Sequence, residues 1–239
     1  MEISKSKVKK LIAIIPARGG SKRLHRKNIL RLDNVPLMSR VIRTAKKANI
    51  FDQIIVSSED VEILDIAKKE GIITHNRKFK LATDKATVDE VCLDVLSKYP
   101  AKNFCCIYAT SALITRNTLL KASKKFLFSK NISVLMGVSK YNYHPFQAIK
   151  ISKDGKAKLI FSKFKKLKSN FYPNLRVSNG TFYFAKSKEF KKERTFYTNK
   201  LKVYDVPETE VSDINTYEDY TKLVSNFSKN TVKRKVRGL

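Results

Sequence analysis

The residues that most constrain this chain are Leu11–Asn28, LIAIIPARGGSKRLHRKN. Leu11–Ile15 is a short, Ile-rich apolar run of the kind that forms a strand buried on both faces of a parallel sheet. It breaks at Pro16 and passes into Gly19-Gly20-Ser21, flanked by Arg18, Lys22, Arg23, Arg26 and Lys27. A strand ending in small residues lets the backbone close on a ligand, and surrounding amides and cations suit phosphate. The competing reading is a surface turn with a basic flank. No GxGxxG follows the strand, and GxxxxGK[ST] does not fit PARGGSKR, so any phosphate site here is neither of the standard nucleotide loops.

The rest of the chain alternates in the manner of an α/β sheet. Pro36–Asn49 places Leu37, Val41, Ile42 and Ala45 at helical spacing, with Pro36 in the first turn. Gln53–Ser57 reads as a second buried strand, and Ser58-Glu59-Asp60 then opens a helix that stops at Gly71. In that segment the acid is expected to cap the helix. A short strand from Ile72, a helix beginning at Asp84 or Thr87 and running to Lys98, a strand over Asn103–Thr110 and a helix over Asn117–Ser129 follow. Ile132–Ser139 is another strand. From Tyr141 to Asn179 the pattern changes to turns and a hairpin around Asp154-Gly155. Val177–Phe184 and Lys202–Val206 return to strand, and the lysine-rich stretch between Lys186 and Lys200 reads as solvated surface.

Charge separates the function classes. Fifty basic residues face 21 acidic ones, a formal net charge of +29, which attracts polyanions and phosphorylated substrates alike. A proteome-wide lysine bias produces the same figure. The FSKFKKLKSNFYPNL stretch interleaves aromatics with lysines, the best local case for stacking on nucleic-acid bases, yet no RNP, KH or zinc pattern accompanies it. Cys92, Cys105 and Cys106 form no disulfide framework or metal cluster, so buried thiols in a reducing cytosol are expected. The apolar run before Pro16 is too short for a signal sequence or a membrane span. A cytoplasmic protein with no membrane partner is the expectation.

IAIIPARGGSKRLHRKN resembles the opening motif of the acylneuraminate (CMP-nonulosonic acid) cytidylyltransferase family, and its GGSKR form is most similar to the pseudaminic acid branch. His25 stands where that motif usually has Pro. The likeness extends to about Phe227, through an RPxELASD-like frame at Arg77–Asp84, the IYATS strand end, Asn179-Gly180 of an NGxxY pattern, and VSDINTYED. It implies a three-layer, mostly parallel, Rossmann-like nucleotidyltransferase sheet with helices on both faces and a small β-rich dimerisation arm. The core then takes residues 11–140 and 177–228, with the arm at 141–176, a basic lead at 1–10 and a disordered basic tail at 229–239.

The resemblance also implies roles. CTP and a nonulosonic acid are the substrates, Mg2+ is the cofactor, and the protein is a homodimer that binds no specific nucleic acid. Ala17, Arg18, Gly19, Gly20, Ser21, Lys27 and Asn28 would wrap the nucleotide, helped by Arg77, Asp84 and Thr87. Thr110, Ser111, Gln147, Asn179 and Gly180 would meet the sugar. Arg18, Lys27 and Asp213 would be catalytic, and Asp213 and Asn215 would face the metal, with Asn215 in place of the family's second aspartate. Helix capping at Asn215 or Thr216 is the structural alternative. The rival functions are a nucleic-acid-binding protein and a catalytically inactive relative.

Overall fold

The computed structural model describes residues 9–236, with backbone alone beyond residue 228. Its centre is β1 (Lys9–Pro16), whose residues Leu11–Ile15 are all buried. Alternation sends Leu11, Ala13 and Ile15 to one face of the sheet and Ile12 and Ile14 to the other. Each buried Ile or Leu contributes about 1.5–3 kcal/mol relative to exposure. A strand buried on both sides therefore has one stable place, the interior of the sheet.

A two-residue ribbon, β2 (Arg31–Leu32) with β3 (Val35–Pro36), leads into helix α1 (Leu37–Ala48), which ends at left-handed Asn49. Next come β4 (Gln53–Ser58), α2 (Val61–Lys69), β5 (Ile73–Asn76), α3 (Val88–Lys98), β6 (Ala101–Ile107), α4 (Arg116–Phe128) and β7 (Val134–Ser139). The caps are local chemistry. Asp60 accepts from the Ile63 N–H (3.1 Å) at α2, as its sequence position implies, and Thr87 forms a capping box with Glu90 at α3. After a short hairpin, β8 (Ile149–Ile151) with β9 (Ala157–Leu159), the chain returns through β10 (Val177–Lys186), α5 (Ser187–Glu193), β11 (Leu201–Asp205) and α6 (Tyr217–Val236).

Seven strands form one sheet in the order β11-β7-β10-β6-β1-β4-β5, parallel except for β10. Apolar residues of α1, α2 and α4 cover one face, and those of α3 and α5 the other, which gives the three layers. Cys105 and Cys106 point into opposite layers, and all three cysteines are buried and free. From β1 the chain winds through β4 and β5 and then crosses to β6 on the other side. The carboxyl ends of β1 and β6 therefore flank a topological switch point, where α/β sheets bind ligands. Antiparallel β10 brings its first residues to that same end. Its pairing with β7 shifts register between Ser178 and Tyr183, around left-handed Gly180 (φ 60°).

One expectation changes. The lysine-rich stretch after Lys186 is no solvated excursion, because Phe190 and Phe196 turn inward onto Phe104, with ring centroids 4.9 and 5.9 Å away. Helix α6 runs on into the start of the basic tail, to Val236. The rest of that tail, and residues 1–8 of the basic lead, lie outside the described residues. Among the described residues no helix is long and apolar enough to cross a membrane.

Candidate functional site

At the carboxyl end of β1 the Ala17 N–H donates to Ser57 O (3.0 Å), and the chain then loops outward until Asn28 closes it, its Nδ2 donating to Arg18 O (2.9 Å). Leu24 is buried under the loop with Leu32, Leu37, Ala112, Ile214 and Leu223. That shared cluster draws the loop against the segment before α6. Above it opens a cavity of about 320 Å³ lined by Arg18, Ser21, Lys22, Arg23, Lys27, Asn28 and Asp84. Four cations against one carboxylate give it a positive lining suited to an anion.

The backbone contributes less than the glycines imply. The Gly19 N–H donates to Glu59 Oε1 (2.8 Å), and the Ser21 N–H donates to Gly19 O (3.0 Å). Two of the loop amides are thus already used, so an anion here would be met mainly by side chains. Asp84 bridges Arg18 Nη1 (2.8 Å) and Lys22 Nζ (2.7 Å), and those two cations, Lys22 foremost, hold its carboxyl below the usual range. Burial pushes the Lys27 ammonium below the ordinary amine value, against the opposing pull of Asp213, while Arg23 and Arg18 add to the depression. Lys27 and Asp213 are thus close enough to feel one another's charge.

Asp213 is set by its neighbours. Ser212 Oγ donates to Thr110 O (2.6 Å), Ile214 is buried, and Thr216 caps α6, its N–H and hydroxyl donating to Asp219 Oδ2 (2.8 and 2.9 Å). The cap is thus Thr216, and the Asn215 side chain is free for other work. Asn215 Oδ1 accepts from Arg23 Nη2 (2.9 Å), and Nδ2 donates to Asp213 Oδ1 (2.7 Å). Among the described residues no group of three or more His, Cys, Asp or Glu could hold a metal. Asp213 supplies a carboxylate, while the Asn215 amide oxygen is held by Arg23 and would have to leave it to join a metal. One carboxylate is a sparse set, of the kind a divalent ion can use when water and substrate phosphate complete its shell.

The other candidates divide. Thr110, Ser111, Asn179 and Gly180 come together at the switch point, where Ser111 Oγ donates to Gly180 O (3.3 Å) and Thr181 O (3.1 Å). Asn179 Oδ1 accepts from the Thr181 N–H (3.2 Å), while its Nδ2 is buried with no partner among the described residues. Arg77 is a buried strut between strands and loop, donating to Ser57 O, Ser57 Oγ (3.2 Å) and Leu81 O (3.5 Å). The Thr87 hydroxyl is engaged in its capping box, and Asp84, paired with Arg18 and Lys22, starts no helix. Gln147 is exposed in the turn Pro145–Gln147, and no hydrogen bond among the described residues joins its side chain to the loop. Sequence reasoning missed Glu59 and the direction of Arg26, whose guanidinium turns from the cavity to Asp60 and Glu62. An acidic pair closing the strand beside a cationic loop was the available signal.

Residues 12–223 match the family model described as cytidylyltransferase. The pseudaminic acid cytidylyltransferase of Campylobacter jejuni is 31% identical over 216 residues, 88% of this chain and 93% of that protein. The N-acylneuraminate cytidylyltransferase of Streptococcus agalactiae is 26% identical over 220 residues, 91% of this chain and 53% of its own length. A solved structure of CMP:2-keto-3-deoxy-manno-octonic acid synthetase complexed with CTP superposes with a TM-score of 0.68 at 13% identity, covering 92% of this chain and 99% of that one. At that identity the likeness is one of fold.

Proposed function

The chain belongs to the cytidylyltransferase family, and from that premise we propose that it condenses CTP with a nonulosonic acid, pseudaminic acid or a relative, giving the CMP-sugar and pyrophosphate. The observation that carries the reading is the cationic cavity at the switch point, joined through Asn215 to Asp213. The relative at 31% identity supports the sugar class. A nucleic-acid platform leaves unexplained why Leu24 and Ile214 bring the two motifs to one crevice.

In this mechanism the sugar's anomeric hydroxyl attacks the α-phosphorus in line, forming one O–P bond as the bond to pyrophosphate breaks and the hydroxyl proton passes to solvent. No side chain forms a covalent bond; the work is orientation and charge neutralisation. Arg18 and Lys27 bind the triphosphate, with Ser21, Lys22 and Arg23 around it. Thr110, Ser111, Asn179 and Gly180 form the sugar side, where the unpartnered Asn179 Nδ2 is a donor waiting for an acceptor. Asp213 would hold Mg2+, joined by the Asn215 amide oxygen once Arg23 leaves it for phosphate. When bound, the ion would neutralise phosphate charge and polarise the phosphoryl oxygens.

The test is pyrophosphate release from CTP, followed with Mg2+ across several nonulosonic acids. Release with none of them overturns the reading in favour of an inactive relative. A second expectation concerns Asn215. Asn215→Asp removes the amide donor from Asp213 and adds a charge, so the Mg2+ concentration for half-maximal rate should fall; an unchanged titration removes Asn215 from the metal. A third concerns the arm, where Tyr143, Ile149, Ile151 and Phe171 are exposed and His144 and Phe146 pack against Tyr172. That surface supports a homodimer through residues 141–176. Sedimentation of a fully active monomer at micromolar concentration contradicts it.

A further inference from the structure

Arg26 is one of the five cations of the loop, yet it does not line the cavity. Its backbone is left-handed (φ 52°), a conformation that disfavours any residue with a Cβ. The side chain accounts for that choice. Nη1 and Nη2 fork onto Asp60 Oδ2 (2.9 Å) and Oδ1 (3.0 Å), and Nη2 also donates to Glu62 Oε2 (2.7 Å). The same turn grips the loop's other end. Gly19 N–H donates to Glu59 Oε1 (2.8 Å), and a Cβ on Gly19 would stand 2.3 Å from Asp60 Oδ2. Ser21, Lys22 and Arg23 lie between these two grips.

We propose that Arg26 is a positioning residue, and that it and the Glu59-Asp60 turn form a clamp that sets the spacing of the phosphate-binding side chains. A loop bearing this many like charges repels itself, and an acidic turn behind it both neutralises and orients it. Fork-on-fork pairing fixes distance and plane together, which a lysine cannot do. The clamp preorganises the loop, so its loss appears in the binding of the anion and not in the chemical step. The inference rests on the loop's being the triphosphate site.

The experiment is CTP binding by calorimetry, with steady-state kinetics alongside, on Arg26→Ala, Arg26→Lys, Asp60→Asn and the double variant Arg26→Ala/Asp60→Asn. Arg26→Ala should raise both Kd and KM for CTP about tenfold, the lower range for supporting-shell residues, with kcat and the KM for sugar unchanged. Arg26→Lys should recover part of the loss. Asp60→Asn keeps the helix cap, since Asn and Asp are equivalent there, but loses one of the two carboxylates on Arg26 and keeps Glu62, so it should weaken CTP binding in the same direction and by less than Arg26→Ala. The double variant should be no worse than Arg26→Ala alone. Tighter CTP binding by Asp60→Asn overturns the proposal, because a released Arg26 is then a phosphate ligand. Unchanged CTP affinity in Arg26→Ala, or additive losses in the double variant, overturn it as well. If Arg26→Ala fails to fold, the Lys and Asn variants decide by the same criteria. Wild-type protein that binds no CTP overturns the nucleotide reading itself, and the clamp with it.

Discussion

Asp213→Ala should give a folded protein that releases almost no pyrophosphate from CTP. Losing an outer-shell partner of a metal site costs about 10–100-fold in affinity or activity. Asp213 would be the only protein carboxylate at the ion, so its loss belongs at or above the top of that range. The fold should survive, because Asp213 is exposed and the adjoining Ile214 carries the packing. A second signature follows from Lys27. Burial lowers its pKa and the Asp213 carboxylate opposes that shift. Without Asp213 the ammonium loses its proton at a lower pH. CTP affinity, which needs the charged form, should therefore decline at lower pH in the variant than in the wild type. A variant that kept its rate would remove the metal from this site and move the inactive-relative reading forward.

Lys27→Ala and Arg18→Ala should each weaken CTP binding strongly, and not equally. A charge-assisted hydrogen bond contributes about 1.5–3 kcal/mol, or roughly 10- to 150-fold in Kd. Arg18 is already paired with Asp84 at 2.8 Å, so a phosphate that takes it must first part that pair. Lys27 is half-buried and has no ion-pair partner among the described residues, Asp213 acting on it only through space. The larger loss is therefore expected for Lys27→Ala. Calorimetry showing wild-type affinity in both variants would take the loop out of the nucleotide site altogether.

The parts of this architecture that hydropathy and caps dictate were legible before any coordinates. A run buried on both faces, as at Leu11–Ile15, has to lie inside a parallel sheet, and Asp60 before an apolar-periodic segment has to cap it. The family assignment followed from the loop and from VSDINT together. What one dimension hides is direction. Arg26 and Lys27 are adjacent cations, and only the left-handed turn at Arg26 sends one to Asp60 and the other toward Asp213. Gly19 reads as a residue that frees an amide for phosphate, yet that amide is held by Glu59, forty residues away in sequence. Phe190 and Phe196 were masked by the lysines around them, because mean polarity over a stretch says nothing about which side chains turn inward.

The residues on either side of the arm are paired neighbours, Ser139 on β7 with Val177 on β10. An excursion that leaves and re-enters a sheet at one rung is free to change in size. Doubling the length of such a loop costs only about 0.6 kcal/mol of closure entropy, and the strands on either side keep their register. The surface of residues 141–176 and the cavity beside β1 can thus diverge separately in this chain. Relatives with longer, shorter or unrelated excursions could differ in that surface while the Gly19–Asn28 loop and Asp213 stay fixed, and a designer could graft a new binding surface at the same rung.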